Sequence, residues 1–302
     1  MTQSLQSLQG VSACIFDAYG TLFDFASAAA RCADIPADRR EALTVLWRDK
    51  QLQYTWLRTL ENRYADFWQV TGEALDFALE SLDLAGPSLR ERLMELYLGL
   101  EPFPEVPAVL GALREAGFKT AILSNGSPAM LEALVKRSGL EAMFDAVLSV
   151  DAVRAFKTHP KVYQYALDSL ALPARAIAFQ SSNAWDAHAA SDFGMRVVWC
   201  NRYGQRRERL PGKPDFEIRT LAELRRCSRP RRPTRRRTER ADVSLTLLSP
   251  RARLLTAPVW LRSRSLRRPP TGNKAIRSAA RRRRGSTSRP CRSEDPETCP
   301  EG

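Results

Sequence analysis

SACIFDAYGTLFD, residues 12–24, is the stretch on which the fold turns. Residues 12–16 form a short apolar run that ends at Asp17, the pattern of a buried strand delivering a carboxylate at its C-terminal end. The next run of this kind, FKTAILS, comes only at 118–124. Between them, residues 25–100 are poor in Gly and Pro and carry helical spacing, as in Leu43, Leu46 and Trp47 or Leu89, Leu93, Leu96 and Leu100. The spacing predicts a helical insertion of about four helices, a cap placed after the first strand.

From residue 104 the pattern alternates. A helix in EVPAVLGALREAG closes at Gly117, the strand FKTAILS follows, and a second helix opens with Ser127 as N-cap and Pro128 in its first turn, ending before Gly139. Strands are predicted at 146–150, 176–181 and 195–200, with helices at 160–171 and 184–193 between them. Strands alternating with helices mean an α/β fold, a doubly wound, Rossmann-like parallel sheet covered on both faces. The expected organisation is a core of residues 1–24 and 101–225, a cap of 25–100, and a separate tail of 226–302. In such sheets ligands bind beyond the C-terminal strand ends, which directs attention to Asp17, Ser124 with Asn125, and Ser181 through Asp186.

Charge divides the chain in the same place. The 302 residues carry a net +13, yet residues 1–225 hold 25 Lys and Arg against 28 Asp and Glu, whereas 226–302 hold 22 against 6. The body is mildly acidic and is not built to attract phosphate backbones; a nucleic acid would bind only non-specifically, through the tail. Arg, Pro, Ser and Thr dominate the tail without periodicity, so it reads as disordered. Its stretch 243–261 is more apolar but is interrupted by Pro250, Arg251, Arg253 and Pro258. The six cysteines lack CxxC spacing and read as reduced thiols. No run of 18 apolar residues and no apolar leader occurs, so the expected setting is the cytoplasm, away from membranes.

The segment DAYGTLFD, with Asp17, Tyr19, Gly20 and Thr21, resembles the first motif of the haloacid dehalogenase superfamily. Its phosphatase branch carries a second Asp two positions after the nucleophile, where this chain has Tyr19, and paired acids in a later motif, where this chain reads SSNAWD at 181–186. Together with SNG at 124–126 and WRDKQLQYTWLR at 47–58, these motifs are similar to those of the L-2-haloacid dehalogenases over roughly residues 12–225. That resemblance implies hydrolysis of a short (S)-2-haloacid to the (R)-2-hydroxy acid, with water as co-substrate and neither metal nor cofactor. Carried over by position, it makes Asp17 the nucleophile, with Thr21 and Tyr19 shaping its surroundings. It gives the departing halide to Arg48 and Asn125, the substrate carboxylate to Ser124 and nearby backbone N–H groups, and a partnership with Asp17 to Lys157. Tyr163, Ser181, Asn183 and Asp186 would orient and activate the hydrolytic water, and Trp185 would help to bind substrate. A homodimer is compatible with this reading.

The set makes chemical sense by itself. Displacement at a carbon bearing halogen needs an oriented carboxylate behind the bond and a cation ahead of it, where charge collects on the halide. Alone, an Asp at a strand end caps a loop as readily as it reacts, and Ser-Asn-Gly is an ordinary turn; their order along one chain carries the functional reading. His159 and His188 are accompanied by no GxSxG nucleophile motif and read as a loop residue and a helix-face residue. The rivals are a magnesium-dependent phosphatase, which Tyr19 and Asn183 oppose, and a nucleic-acid binder acting through the tail.

Overall fold

Ala13–Phe16 (β1) is buried along its whole length, as an apolar run between two neighbouring strands must be. The computed structural model describes residues 10–84 and 86–226, so what was read for the tail beyond Arg226 lies outside the described residues. After β1 come four helices: α1 (Ser27–Arg31), α2 (Arg40–Leu60), α3 (Phe67–Ser81) and α4 (Pro87–Tyr97). Leu43, Trp47, Gln51 and Thr55 recur every fourth residue and form the buried stripe of α2. Trp47 fixes that stripe to α3, its Nε1 donating to the Thr71 carbonyl at 2.9 Å. Asp66 caps α3 by accepting from the Gln69 amide at 2.9 Å.

The remaining elements alternate: α5 (Val106–Glu115), β2 (Lys119–Ser124), α6 (Pro128–Arg137), β3 (Ala146–Ser149), α7 (Pro160–Leu170), β4 (Ile177–Ser181), α8 (Ala184–Asp192), β5 (Arg196–Cys200) and β6 (Phe216–Ile218). The six described strands pair in parallel, in the order β3-β2-β1-β4-β5-β6. This is the doubly wound α/β arrangement that the alternation predicts. The chain moves from β1 outward through β2 to β3, then returns to place β4 on the other side of β1, so the order reverses beside β1. A crevice opens at such a reversal, beyond the C-terminal strand ends. Asp17 is the first residue past β1 and is tied to β4 by its amide, 2.9 Å from the Gln180 carbonyl.

One strand was not foreseen. Phe216–Ile218 pairs with β5, but three residues that follow Pro214 and include Glu217 give no period to read. Pro160 opens α7, and His159 is its N-cap, accepting at Nδ1 from the Lys161 amide at 3.1 Å. Among the described residues Cys14, Cys32 and Cys200 are buried thiols, and no helix is long and apolar enough to cross a membrane.

Candidate active site

The loop after β1 turns sharply at Gly20, whose φ of +84° lies in the region that glycine adopts without strain. The turn brings Thr21 back over Asp17, and its hydroxyl donates to Asp17 Oδ2 at 3.0 Å while accepting from the Ser182 amide at 2.8 Å. Asn183, at the start of α8, donates from Nδ2 to the same oxygen at 2.8 Å and to the Tyr19 carbonyl at 3.3 Å. Oδ1 accepts from Lys157 Nζ at 2.9 Å. Asp17 is only 5% exposed. Oδ2 is thus held by two donors and Oδ1 by one, which leaves Oδ1 the freer lone pair.

Lys157 bridges two acids, reaching Asp186 Oδ2 at 2.8 Å, and Tyr163 donates to Asp186 Oδ1 at 2.8 Å. Both Lys157 and Asp186 are at most 1% exposed. Burial alone would pull the Lys157 ammonium down, but the charges of Asp17 and Asp186 outweigh it and hold the group above its ordinary value. Burial pushes Asp186 up, with Lys157 opposing, and pushes the Tyr163 phenol far up.

Arg48, on α2, reaches this centre from the helical insertion. Its Nη2 donates to Asn183 Oδ1 at 3.3 Å, its Nη1 donates to Gln51 Oε1 at 2.8 Å, and its guanidinium lies 5.2 Å from the centre of the Phe25 ring. Asn183 therefore sits between charges of opposite sign, carbonyl toward the cation and amide toward the carboxylate.

The structure thus gathers Asp17, Thr21, Arg48, Lys157, Tyr163, Asn183 and Asp186 into one hydrogen-bonded cluster. Ser181, buried at the end of β4, supports it by accepting from the Asn183 amide at 3.1 Å. Asn125 accepts from the Lys157 amide at 3.0 Å, which commits its carbonyl and leaves its NH2 as a donor. Ser124 accepts from the Gly126 amide at 3.1 Å and shapes its own loop. Tyr19 is buried against Tyr97, with ring centres 5.4 Å apart; burial pushes its phenol far up, and its hydroxyl has no hydrogen-bond partner among the described residues. A side chain on Gly126 would come within 3.0 Å of that hydroxyl. Trp185 packs edge-on against Trp56 at 5.6 Å, in a groove that also holds Pro160 and His188. The sequence reading missed Gln51, Thr71 and Tyr97 behind Arg48, and Arg202, which donates to the Thr21 carbonyl at 2.8 Å and pairs with Glu105 at 2.6 Å.

A model of the haloacid dehalogenase-like hydrolase family matches residues 11–194. The chain belongs to this family. Within it, similarity runs to the dehalogenases that the motifs resemble. A Burkholderia cepacia protein named (S)-2-haloacid dehalogenase 4A is 43% identical over 218 residues, covering 72% of this chain and 94% of that protein. The (S)-2-haloacid dehalogenase of Pseudomonas sp. strain YL is 46% identical over 207 residues, covering 68% and 89%. The structure of L-2-haloacid dehalogenase from Xanthobacter autotrophicus with chloropropionic acid covalently bound superposes with a TM-score of 0.67 at 40% identity, covering 72% of this chain and 97% of that one.

The phosphatase branch of the haloacid dehalogenase-like hydrolases implies magnesium, and the residues here do not fit it. Tyr19 offers a phenol where the resemblance places an acid in that branch, the stretch 181–186 keeps one acid, Asp186, in place of a pair, and the ammonium of Lys157 already bridges the carboxylates of Asp17 and Asp186. That bridge has a measurable consequence. A raised lysine contributes stability that is fully present below its unfolded value of about 10.4 and lost as pH climbs through the folded one. Lys157→Met leaves two buried carboxylates without a cation and is expected to cost about 3 to 5 kcal/mol at pH 7. Asp186 is then raised further, and its contribution is present at low pH and lost as pH rises through its folded value. The gap in melting temperature from wild type should therefore narrow between pH 7 and pH 5. A gap that stays constant or widens on acidification would show that Lys157 does not offset the charge of the two acids.

Proposed function

We propose that this chain hydrolyses short (S)-2-haloalkanoic acids to (R)-2-hydroxy acids and halide through an ester on Asp17, without a metal. The observation that carries the reading is the Asp17 carboxylate, pinned by Thr21, Asn183 and Lys157 and linked through Asn183 to the Arg48 guanidinium. Residues 25–100 act as a cap over the core of 1–24 and 101–225, Arg48 being the cation the cap supplies. Asp17 Oδ1 attacks C2 from behind the carbon–halogen bond. The bonding pair leaves with the halide toward Arg48 and the Asn125 amide, and C2 inverts. Ser124 and backbone amides of its loop take the substrate carboxylate, with Tyr19 and Trp185 against the alkyl part.

Hydrolysis follows at the Asp17 carbonyl. Asp186 takes the proton of the attacking water, a task favoured by its raised basicity, with Tyr163 and Ser181 keeping the surrounding bonds in place. Oδ2 becomes the oxyanion of the tetrahedral intermediate, where the Thr21 hydroxyl and Asn183 amide are already placed to stabilise it. Collapse releases the hydroxy acid, whose alkoxide receives a proton from Lys157, beside Oδ1; Lys157 then recovers the water-derived proton from Asp186, 2.8 Å away, and the re-formed Asp17 carboxyl gives up its own proton to solvent as the product leaves.

Halide release from the separate enantiomers of 2-chloropropionate, with and without EDTA, tests the reading. Turnover of the (S) enantiomer at an unchanged rate in EDTA is expected. Activity lost to the chelator and restored by magnesium, or turnover of a phosphate ester in place of the haloacid, would overturn it.

A further inference from the structure

We propose that Gln51 is a positioning residue that presents Arg48 to the departing halide, with its own orientation set by Thr71. The inference rests on the dehalogenase reading, with Arg48 as the cation that meets the halide. It begins from hydrogen-bond direction. The Phe67 carbonyl can only accept, so the Thr71 hydroxyl, 2.6 Å away, commits its proton there. Thr71 Oγ1 must then accept from its other neighbour, Gln51 Nε2, at 2.7 Å. The Gln51 amide is thereby turned with its carbonyl toward Arg48 Nη1. A flipped amide would set NH2 against the guanidinium and oxygen against oxygen at Thr71, two repulsive contacts in a site where Gln51 and Thr71 are at most 1% exposed. Tyr97, a phenol that burial keeps neutral, closes the amide from the side at 3.1 Å.

The consequence is that Arg48 is gripped at both ends of its fork. Gln51, three residues on along α2 and therefore its neighbour on the helix surface, holds Nη1, while Asn183 holds Nη2. An unrestrained arginine would lose rotamer freedom on meeting the halide, whereas a preset fork has little left to lose. The gain is largest where the halide gathers most charge at the transition state and where that charge is most concentrated. Chloride, the poorer leaving group and the smaller ion, depends on Arg48 more than bromide does.

The test is single-turnover halide release from (S)-2-chloropropionate and (S)-2-bromopropionate by wild type, Gln51→Met, Thr71→Val and Thr71→Ser. Gln51→Met is expected to slow chloride release about tenfold to hundredfold, the worth of a bond to a charged group, and bromide release by a smaller factor. It should also weaken product inhibition by bromide. Thr71→Val should show the same pattern more mildly, and Thr71→Ser, which keeps the hydroxyl, should behave as wild type. Equal losses for both halogens, or none, would overturn the proposal and leave the dehalogenase reading standing. No halide from wild type would overturn that reading itself. If Gln51→Met fails to fold, as judged by circular dichroism, the two Thr71 variants decide the matter.

Discussion

Asp17→Asn is expected to lower halide release by about 10⁴-fold or more, the scale on which covalent nucleophiles matter. An amide oxygen is a poor nucleophile, and Asn at this position also loses the charge that pairs with Lys157. Thr21 and Asn183 can still meet the remaining carbonyl, so the loop itself should persist. Circular dichroism separates loss of chemistry from loss of fold. Substantial residual halide release by a folded variant would demote Asp17 from nucleophile.

The route of oxygen makes the same point with the native side chain. With enzyme in excess over substrate in ¹⁸O-labelled water, the hydroxyl oxygen of the product is expected to come from Asp17 and the label to enter the enzyme. This follows because the ester must break at its carbonyl carbon: a second displacement at C2 would restore the starting configuration. Mass spectrometry should find label in the peptide containing Asp17 and inverted, largely unlabelled hydroxy acid. Label in the product during this first turnover would mean that water attacks C2 directly, with Asp17 as its base.

What the sequence made legible was chiefly local. Asp17 could be placed because four apolar residues precede it and a glycine turn follows, and strand, motif and strand end all fall within one short window. The α/β architecture followed from alternation that needs no knowledge of partners. Gln51 stands in the same run as Arg48, yet nothing local reveals that it faces Thr71, 20 residues away, and Tyr97, 46 residues away. Arg202 lies 181 residues from the Thr21 carbonyl it meets. Such pairings are made by helix packing and by the crossing over of the sheet, and a pattern of residue types along the chain contains neither. Phe216–Ile218 was hidden for another reason, since a three-residue strand becomes a strand only through its neighbour β5.

Arg48→Ala is expected to slow the halide-releasing step by roughly 10² to 10³, the loss typical when one donor to developing charge is removed. Arg48 touches Asp17 only through Asn183, so the carboxylate's hold on Lys157 and Thr21 should survive the change. Hydrolysis of an ester already formed should be slowed far less, because no halide is present in that step. The loss should therefore fall on the first step, so pre-steady-state kinetics should show the ester forming slowly and never accumulating. Arg48→Lys should recover only part of the rate: a single ammonium cannot reach Gln51 and Asn183 together as the guanidinium fork does, so one of the two oxygens is left without its donor. Turnover near wild type in the alanine variant would remove Arg48 from the halide's path. A loss confined to ester hydrolysis would place it with Asp186, the proposed base for the water.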